Sequence, residues 1–130
     1  MPDEKYVDLT SSVIAAYHTV FYATKHHQAY TVFNLAEAMN IELQMRGHRV
    51  EREVGVLRTY QRQPIGPAYV DIIVDRLVAI VVKKNAKLTT VHDAQLRAYL
   101  DDSDCPLGLL INFGGQEPEV RQFDRREESE

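Results

Sequence analysis

The sequence predicts one α+β or α/β domain in which helices cover a mixed β-sheet, and three observations carry that reading. Two helical segments precede Gly47, the apolar spacing then changes to a period of two through three strand-like runs, and a third helical segment leads to one more buried apolar run. The expected order is α-α-β-β-β-α-β.

From 9 to 24, Val13, Ala16, Tyr17, Val20, Phe21 and Thr24 recur at three- and four-residue spacing, with Thr10, Ser11 or Ser12 available as caps. His26-His27-Gln28 interrupts the pattern. A second helix is expected from 30 to 46, with Phe33, Ala36, Met39 and Leu43 on its apolar face, Leu35 and Ile41 on the flank, and Gly47 placed to stop it. Val50, Arg52, Val54 and Val56 then alternate with Glu51, Glu53, Gly55 and Leu57, a strand whose two faces differ. The stretch 61–66 reads as a turn. The runs 69–74 and 77–82 are β-branched and joined by Asp75-Arg76, a two-residue hairpin connection without the favoured glycine, so three antiparallel strands in a meander are expected.

Thr89 or Thr90 caps a third helix, with Val91, Ala94, Gln95, Ala98, Tyr99 and Leu100 inward, which ends before Cys105-Pro106. The run 107–113 is a buried strand closed by Gly114-Gly115. A short edge segment is expected around 120–123; the domain is read as 1–124, with the charged 125–130 as a frayed tail.

The chain has 130 residues, 45% hydrophobic and 26% charged, enough to bury a core and unlike a disordered or disulfide-stapled sequence. Its net charge of -4 excludes the global positive field of dedicated nucleic-acid binders, though a local basic groove stays compatible with it. The single Cys105 has neither a disulfide partner nor a CxxC companion, the longest strongly apolar run is far short of a membrane span, and the N-terminus is too polar for a secretory signal, so a cytoplasmic location is expected.

Three stretches carry a family resemblance: Val50-Glu51-Arg52-Glu53-Val54, the segment from Lys87 to Leu100, and Gly108-Leu109-Leu110-Ile111-Asn112-Phe113-Gly114. In this order they resemble the GxxExxxR proteins of the PD-(D/E)XK nuclease superfamily. The resemblance covers 9–114 and implies a restriction-endonuclease-like α/β fold: a three-strand meander, a crossover helix and a further strand, flanked by helices. It also implies a Mg²⁺ or Mn²⁺ site built from a strand aspartate, a Glu-x-Lys on the next strand and a helix glutamate.

Asp71 matches the aspartate and Lys83 the lysine, whereas Val81 stands where the Glu-x-Lys glutamate belongs, and Val32 or Tyr30 where the helix glutamate belongs. Gln95 and Tyr99 resemble the superfamily's Gln-x-x-x-Tyr element. The departures fall on the chemistry, so the expected protein is a nuclease fold with a degenerate site, no cofactor and a binding or interaction role. Nucleic acid is the leading ligand, DNA or RNA, contacted through Lys83, Lys84, Lys87, Arg97 and either Arg58 or Arg62. Two rivals stand beside it: an active Mg²⁺-dependent nuclease using Asp71, Lys83 and a carboxylate such as Glu53, and a homo-oligomeric or protein-binding module without nucleic-acid contact.

The plainer roles stay open as well. Asp71 can pair with Lys83 as an ordinary strand ion pair, Lys83 and Lys84 can be solvated strand-end residues, and Gln95 and Tyr99 can simply hydrogen-bond the sheet. His18, His26, His27, His48 and His92 are scattered rather than spaced as zinc ligands, and Gly114-Gly115 opens no phosphate loop.

Overall fold

The computed structural model describes residues 4–27 and 29–125, so the expected tail lies outside the described residues from 126 onward. The elements are α1 (Glu4–Thr24), α2 (Val32–Met45), β1 (Val50–Tyr60), β2 (Gln63–Val74), β3 (Val78–Lys83), α3 (Thr90–Ser103), β4 (Leu107–Asn112) and β5 (Glu119–Asp124). They form a five-stranded sheet in the order β1-β2-β3-β4-β5, with β3 and β4 parallel and the other neighbours antiparallel. The α/β class and the meander are as expected. The edge segment anticipated at 120–123 is a full strand of six residues, β5, that closes the sheet against β4.

α1 begins well before the anticipated caps. Thr10 lies inside the helix and donates its hydroxyl to the carbonyls of Tyr6 and Val7, as residues of a continuing helix do. α2 starts later than expected: Thr31 caps it, accepting from the amide of Asn34 while its own amide donates to the Asn34 side chain. Phe33 therefore falls outside the buried face of Leu35, Ala36, Met39 and Leu43, and is 61% exposed.

Two cores sandwich the sheet. α1 and α2 bury Tyr17, Phe21, Met39 and Leu43 against Ile72, Val74, Val78, Ile80, Leu107, Leu109 and Ile111. On the opposite face α3 buries Leu96 and Leu100 against Val70, Ile73, Ala79, Val81 and Leu110. The α3 face is turned from the expected one, because Val91, Ala94 and Gln95 are exposed while Leu96 is fully buried. Gly108 makes that approach feasible: a Cβ there would lie 2.9 Å from the side chains of both Leu96 and Leu100.

β1 and β2 do not keep one face each. Pairing runs from Val50↔Val74 to Arg52↔Ile72, omits Glu53 opposite Asp71, and resumes at Val54↔Val70. Glu53 has φ +51°. Before the break Ile72 and Val74 join the α1–α2 core; after it Val54, Val56 and Val70 pack on the α3 side. The single alternating face expected for Val50, Arg52, Val54 and Val56 is thus divided by one irregular residue on each strand. Past Val70 the hairpin is a two-stranded ribbon, since β3 pairs only with Ile72, Ile73 and Val74; Pro64 and Pro67 sit in β2 on that unpaired stretch. The turn expected over 61–66 shrinks to Gln61-Arg62, both at positive φ, as are Asp75 and Arg76 in the next hairpin.

Arg125, read as the first residue of the tail, is instead tied to the domain by its amide to the Pro106 carbonyl and its guanidinium to Asp104. Among the described residues no helix is long and apolar enough to cross a membrane. Because Leu110 is fully buried between β3 and α3, Leu110→Ala is expected to cost about 2–5 kcal/mol in chemical denaturation, with an unchanged denaturant slope.

Candidate nucleic-acid cleft and remnant metal site

The break in β2 shapes the surroundings of Asp71. Its carboxylate accepts the Val82 amide at 2.8 Å, satisfying a β3 donor at the point where the β2–β3 ladder has ended. Burial pushes the Asp71 carboxyl up from its ordinary value; the Val82 hydrogen bond, Lys83 and Arg52 pull it down, and Glu53 raises it again. Glu53 and Lys83 therefore do share the Asp71 neighbourhood. The contact that engages the carboxylate is the Val82 amide, with Lys83 acting through its field, rather than the Asp71–Lys83 strand pair.

The other expected site positions go elsewhere. Val81 is 2% exposed and belongs to the α3-side core, with Tyr99 packed at its margin. Tyr99 carries the Arg58 guanidinium 5.2 Å from its ring centre, and Arg58 also binds Asp102 at 3.0 Å. Gln95 is exposed on α3. Val32 is the first residue of α2 and Tyr30 precedes its cap; each is 39% exposed.

Arg52 was not singled out by sequence reasoning. It donates to Glu37 of α2 at 2.6 Å and to the Asp71 carbonyl at 3.3 Å, and stacks 5.2 Å from the Phe33 ring. It locks the start of α2 to the strand break. Hydrogen bonding from Asn40, and then from Arg52, holds the Glu37 carboxyl below its usual range. The only sequence signal for this was an arginine on an otherwise apolar strand face.

The expected basic stripe does not assemble. Arg97 stacks on Phe123 with its guanidinium 4.8 Å from the ring centre, Arg58 is engaged by Asp102, Arg62 sits at the hairpin tip and Lys87 is exposed in the loop before α3. Lys84 lines a cleft. That cleft, of about 600 Å³, opens where β3 and β4 end together, between the α1–α2 connection and the β4–β5 loop. Lys25, His26, His27, Tyr30, Lys84 and Glu117 are among its walls. Lys84 donates to the Tyr30 carbonyl at 2.5 Å and Lys25 to the Gln116 carbonyl at 3.2 Å, so both ammonium groups are steered to the rim by backbone oxygens. The carboxyl ends of adjacent parallel strands are where open α/β sheets most often leave a ligand crevice.

A family model of the PD-(D/E)XK nuclease superfamily matches residues 7–123, nearly the whole chain. The chain belongs to that superfamily. Comparison with curated proteins and with solved structures finds no match. Superfamily nucleases imply a divalent metal, and the donor set here does not fit one. Mg²⁺ needs hard oxygen ligands in near-octahedral array. Asp71 is engaged by an amide and bathed by two cations, Val81 is apolar and buried, and neither Val32 nor Tyr30 offers a carboxylate. Among the described residues no group of three or more His, Cys, Asp or Glu is disposed to hold a metal.

The state of Asp71 is open to a stability test. A carboxyl whose folded value is raised binds a proton that the unfolded chain has already released, so stability falls as pH rises through the interval from the unfolded to the folded value. Asp71→Asn keeps an acceptor for Val82, and is expected to flatten that fall and to cost far less than Leu110→Ala. Asp71→Ala orphans the amide and is expected to cost about 1–3 kcal/mol. Denaturation curves for the three variants between pH 4 and pH 8 (roughly spanning the carboxylate range) check the order.

Proposed function

We propose that this protein is a non-catalytic superfamily member of the GxxExxxR type that binds nucleic acid. The observation that carries the reading is a juxtaposition: the Asp71 carboxylate is taken up by the Val82 amide, while the cleft where β3 and β4 end collects Lys25, His26, His27 and Lys84. Phosphate neutralisation supplies most of the affinity of nucleic-acid binders, and it needs only a local field, which a chain of net charge -4 can still present. Tyr30 adds an aromatic surface at the same rim, suited to an unstacked base. Glu117 on the facing wall limits how far a phosphate backbone can run across the cleft.

Cleavage requires an ion fixed by its ligands and a water held in line with the leaving oxygen. One aspartate and one lysine provide charge without that geometry. A second reading, a protein-binding or homo-oligomeric module, rests on the distal hairpin, where Leu57, Tyr60, Ile65 and Tyr69 are each more than half exposed.

The unmodified protein is expected to retain single-stranded DNA or RNA in a binding titration whose affinity falls steeply with salt. Lys25→Ala and Lys84→Ala should each weaken binding and lower the magnitude of the logarithmic salt slope by about 0.7. Binding that ignores both substitutions and salt overturns the nucleic-acid reading; a dimer seen by sedimentation and lost in Leu57→Ser/Ile65→Ser then favours the second.

Mg²⁺ and Mn²⁺ are expected neither to raise the melting temperature nor to support cleavage. Val81→Glu should lose roughly 2–5 kcal/mol of stability, because it places a carboxylate among apolar side chains, and should recover no nuclease activity. Divalent-dependent cleavage that disappears in Asp71→Ala would show that a working site exists.

A further inference from the structure

At the opposite end of the sheet from the cleft, three side chains from three distant segments form a continuous hydrogen-bonded row. His48, just past α2, places Nδ1 2.8 Å from Oδ2 of Asp75 in the β2–β3 turn, and Nε2 2.7 Å from the Ser12 hydroxyl on α1. The Asp75 carboxylate is itself aimed: its Oδ1 accepts the Arg49 amide at 2.8 Å, while the Asp75 amide donates to the Arg49 carbonyl at 2.8 Å. With Nδ1–H donating to the Asp75 carboxylate, Nε2 is left to accept from the Ser12 hydroxyl. Thr10 and Thr24, two other α1 hydroxyls, donate to helix carbonyls three and four residues back; that of Ser12 is drawn to an imidazole instead.

We propose that Ser12 is a nucleophile activated by His48, with Asp75 orienting the ring, and that it is acylated by carboxylic esters. Nucleophile, base and orienter in mutual hydrogen-bond reach are the geometry by which such a site is recognised, whatever the fold or chain order. A cavity of about 480 Å³ adjoins the row, lined by Asp8, Leu9, His48, Asp75 and Leu77. Asp8 lies one helical turn before Ser12, on the side toward which helical side chains lean. Leu9 and Leu77 suit an apolar acyl chain, and the two aspartates repel anions, so the substrate class is neutral or cationic esters.

The step is balanced within the site. The Ser12 Oγ–carbon bond forms as its proton passes to His48 Nε2; the ester carbon–oxygen bond then breaks and the leaving alkoxide takes that proton. Ser12 stands in the middle of α1, where its own amide is committed to the helix ladder and cannot cradle an oxyanion. Acylation and hydrolysis of the acyl-serine both pass through an oxyanion and both are slowed by this, so Ser12 reacts with activated acyl groups carrying a good leaving group. The proposal is independent of the nucleic-acid reading and involves none of its residues.

The test is labelling of the full chain with a fluorophosphonate probe, which forms a Ser12 Oγ–phosphorus bond and expels fluoride, followed by peptide mapping. One adduct per chain on Ser12 is expected, absent in Ser12→Ala and slowed about 100-fold in His48→Gln, with the circular-dichroism melt confirming that each variant is folded. p-Nitrophenyl acetate, whose leaving group makes acylation faster than hydrolysis of the acyl-serine, should give a burst of about one equivalent, abolished by Ser12→Ala. If His48→Gln does not fold, native and urea-unfolded wild-type chains are compared, and the adduct should form only in the native one. A row of groups that merely tethers α1 to the turn would not react: no Ser12 adduct, an adduct formed equally fast in folded His48→Gln or in urea, or label spread over lysines and other histidines overturns the proposal.

Discussion

Asn112 is the pivot on which the arrangement of this protein turns. It is a fully buried polar residue at the end of a central strand, and each of its side-chain groups is satisfied by backbone or by a carboxylate. Its Oδ1 accepts the amides of Asn85 and Gly114, and its Nδ2 donates to the Asn85 carbonyl and to Glu119. The loop leaving β3 is thereby clamped to the loop leaving β4. Tyr17 on α1 completes the knot, donating to the Asn112 carbonyl and accepting the Glu119 amide at 2.9 Å. Burial pushes the Tyr17 hydroxyl up to about 12, so it is a neutral donor at neutral pH. Gly114 is required beside this knot, because a Cβ there would collide with the Asn85 backbone.

That clamp bears directly on function, since the same two loops form a wall of the cleft. Gly114, Gly115 and Gln116 come from the β4–β5 loop, and Lys84 comes from the other. Lys84 is therefore carried next to a backbone already held at Asn85 by buried hydrogen bonds, so little ordering of that loop remains to be done when an anion arrives. The clamp also explains why the stretch ending in Asn112-Phe113-Gly114 reads as scaffold: it positions a rim without itself offering a reactive group.

The strand break at Glu53 and Asp71 is the second organising feature. It turns the β1–β2 hairpin over, sends its distal half toward α3, and leaves one β3 amide for Asp71 to satisfy. Here the aspartate is committed to the backbone, and Val81 extends the apolar core into the space beside it.

Much of the fold was legible before any coordinates, because apolar periodicity, the Asp75-Arg76 turn and Gly47 are local signals and local physics decides them. The α/β class, the meander, the crossover helix and the superfamily followed from those signals and three motifs. What sequence could not reveal was rotational: which side of α3 is buried, that Phe33 is held outside by Arg52, and that β1 changes faces at Glu53. Each depends on a partner far away in the chain. The basic stripe failed for the same reason, as Arg58 and Arg97 are claimed by Asp102 and Phe123, while Lys25, His26 and His27 reach the cleft only because α1 packs beside β4. That Val81, Val32 and Tyr30 carry no carboxylate was readable from residue type alone. The row of Ser12, His48 and Asp75 was not, because three residues 27 and 36 positions apart become neighbours only when helix, loop and turn are brought together by the core.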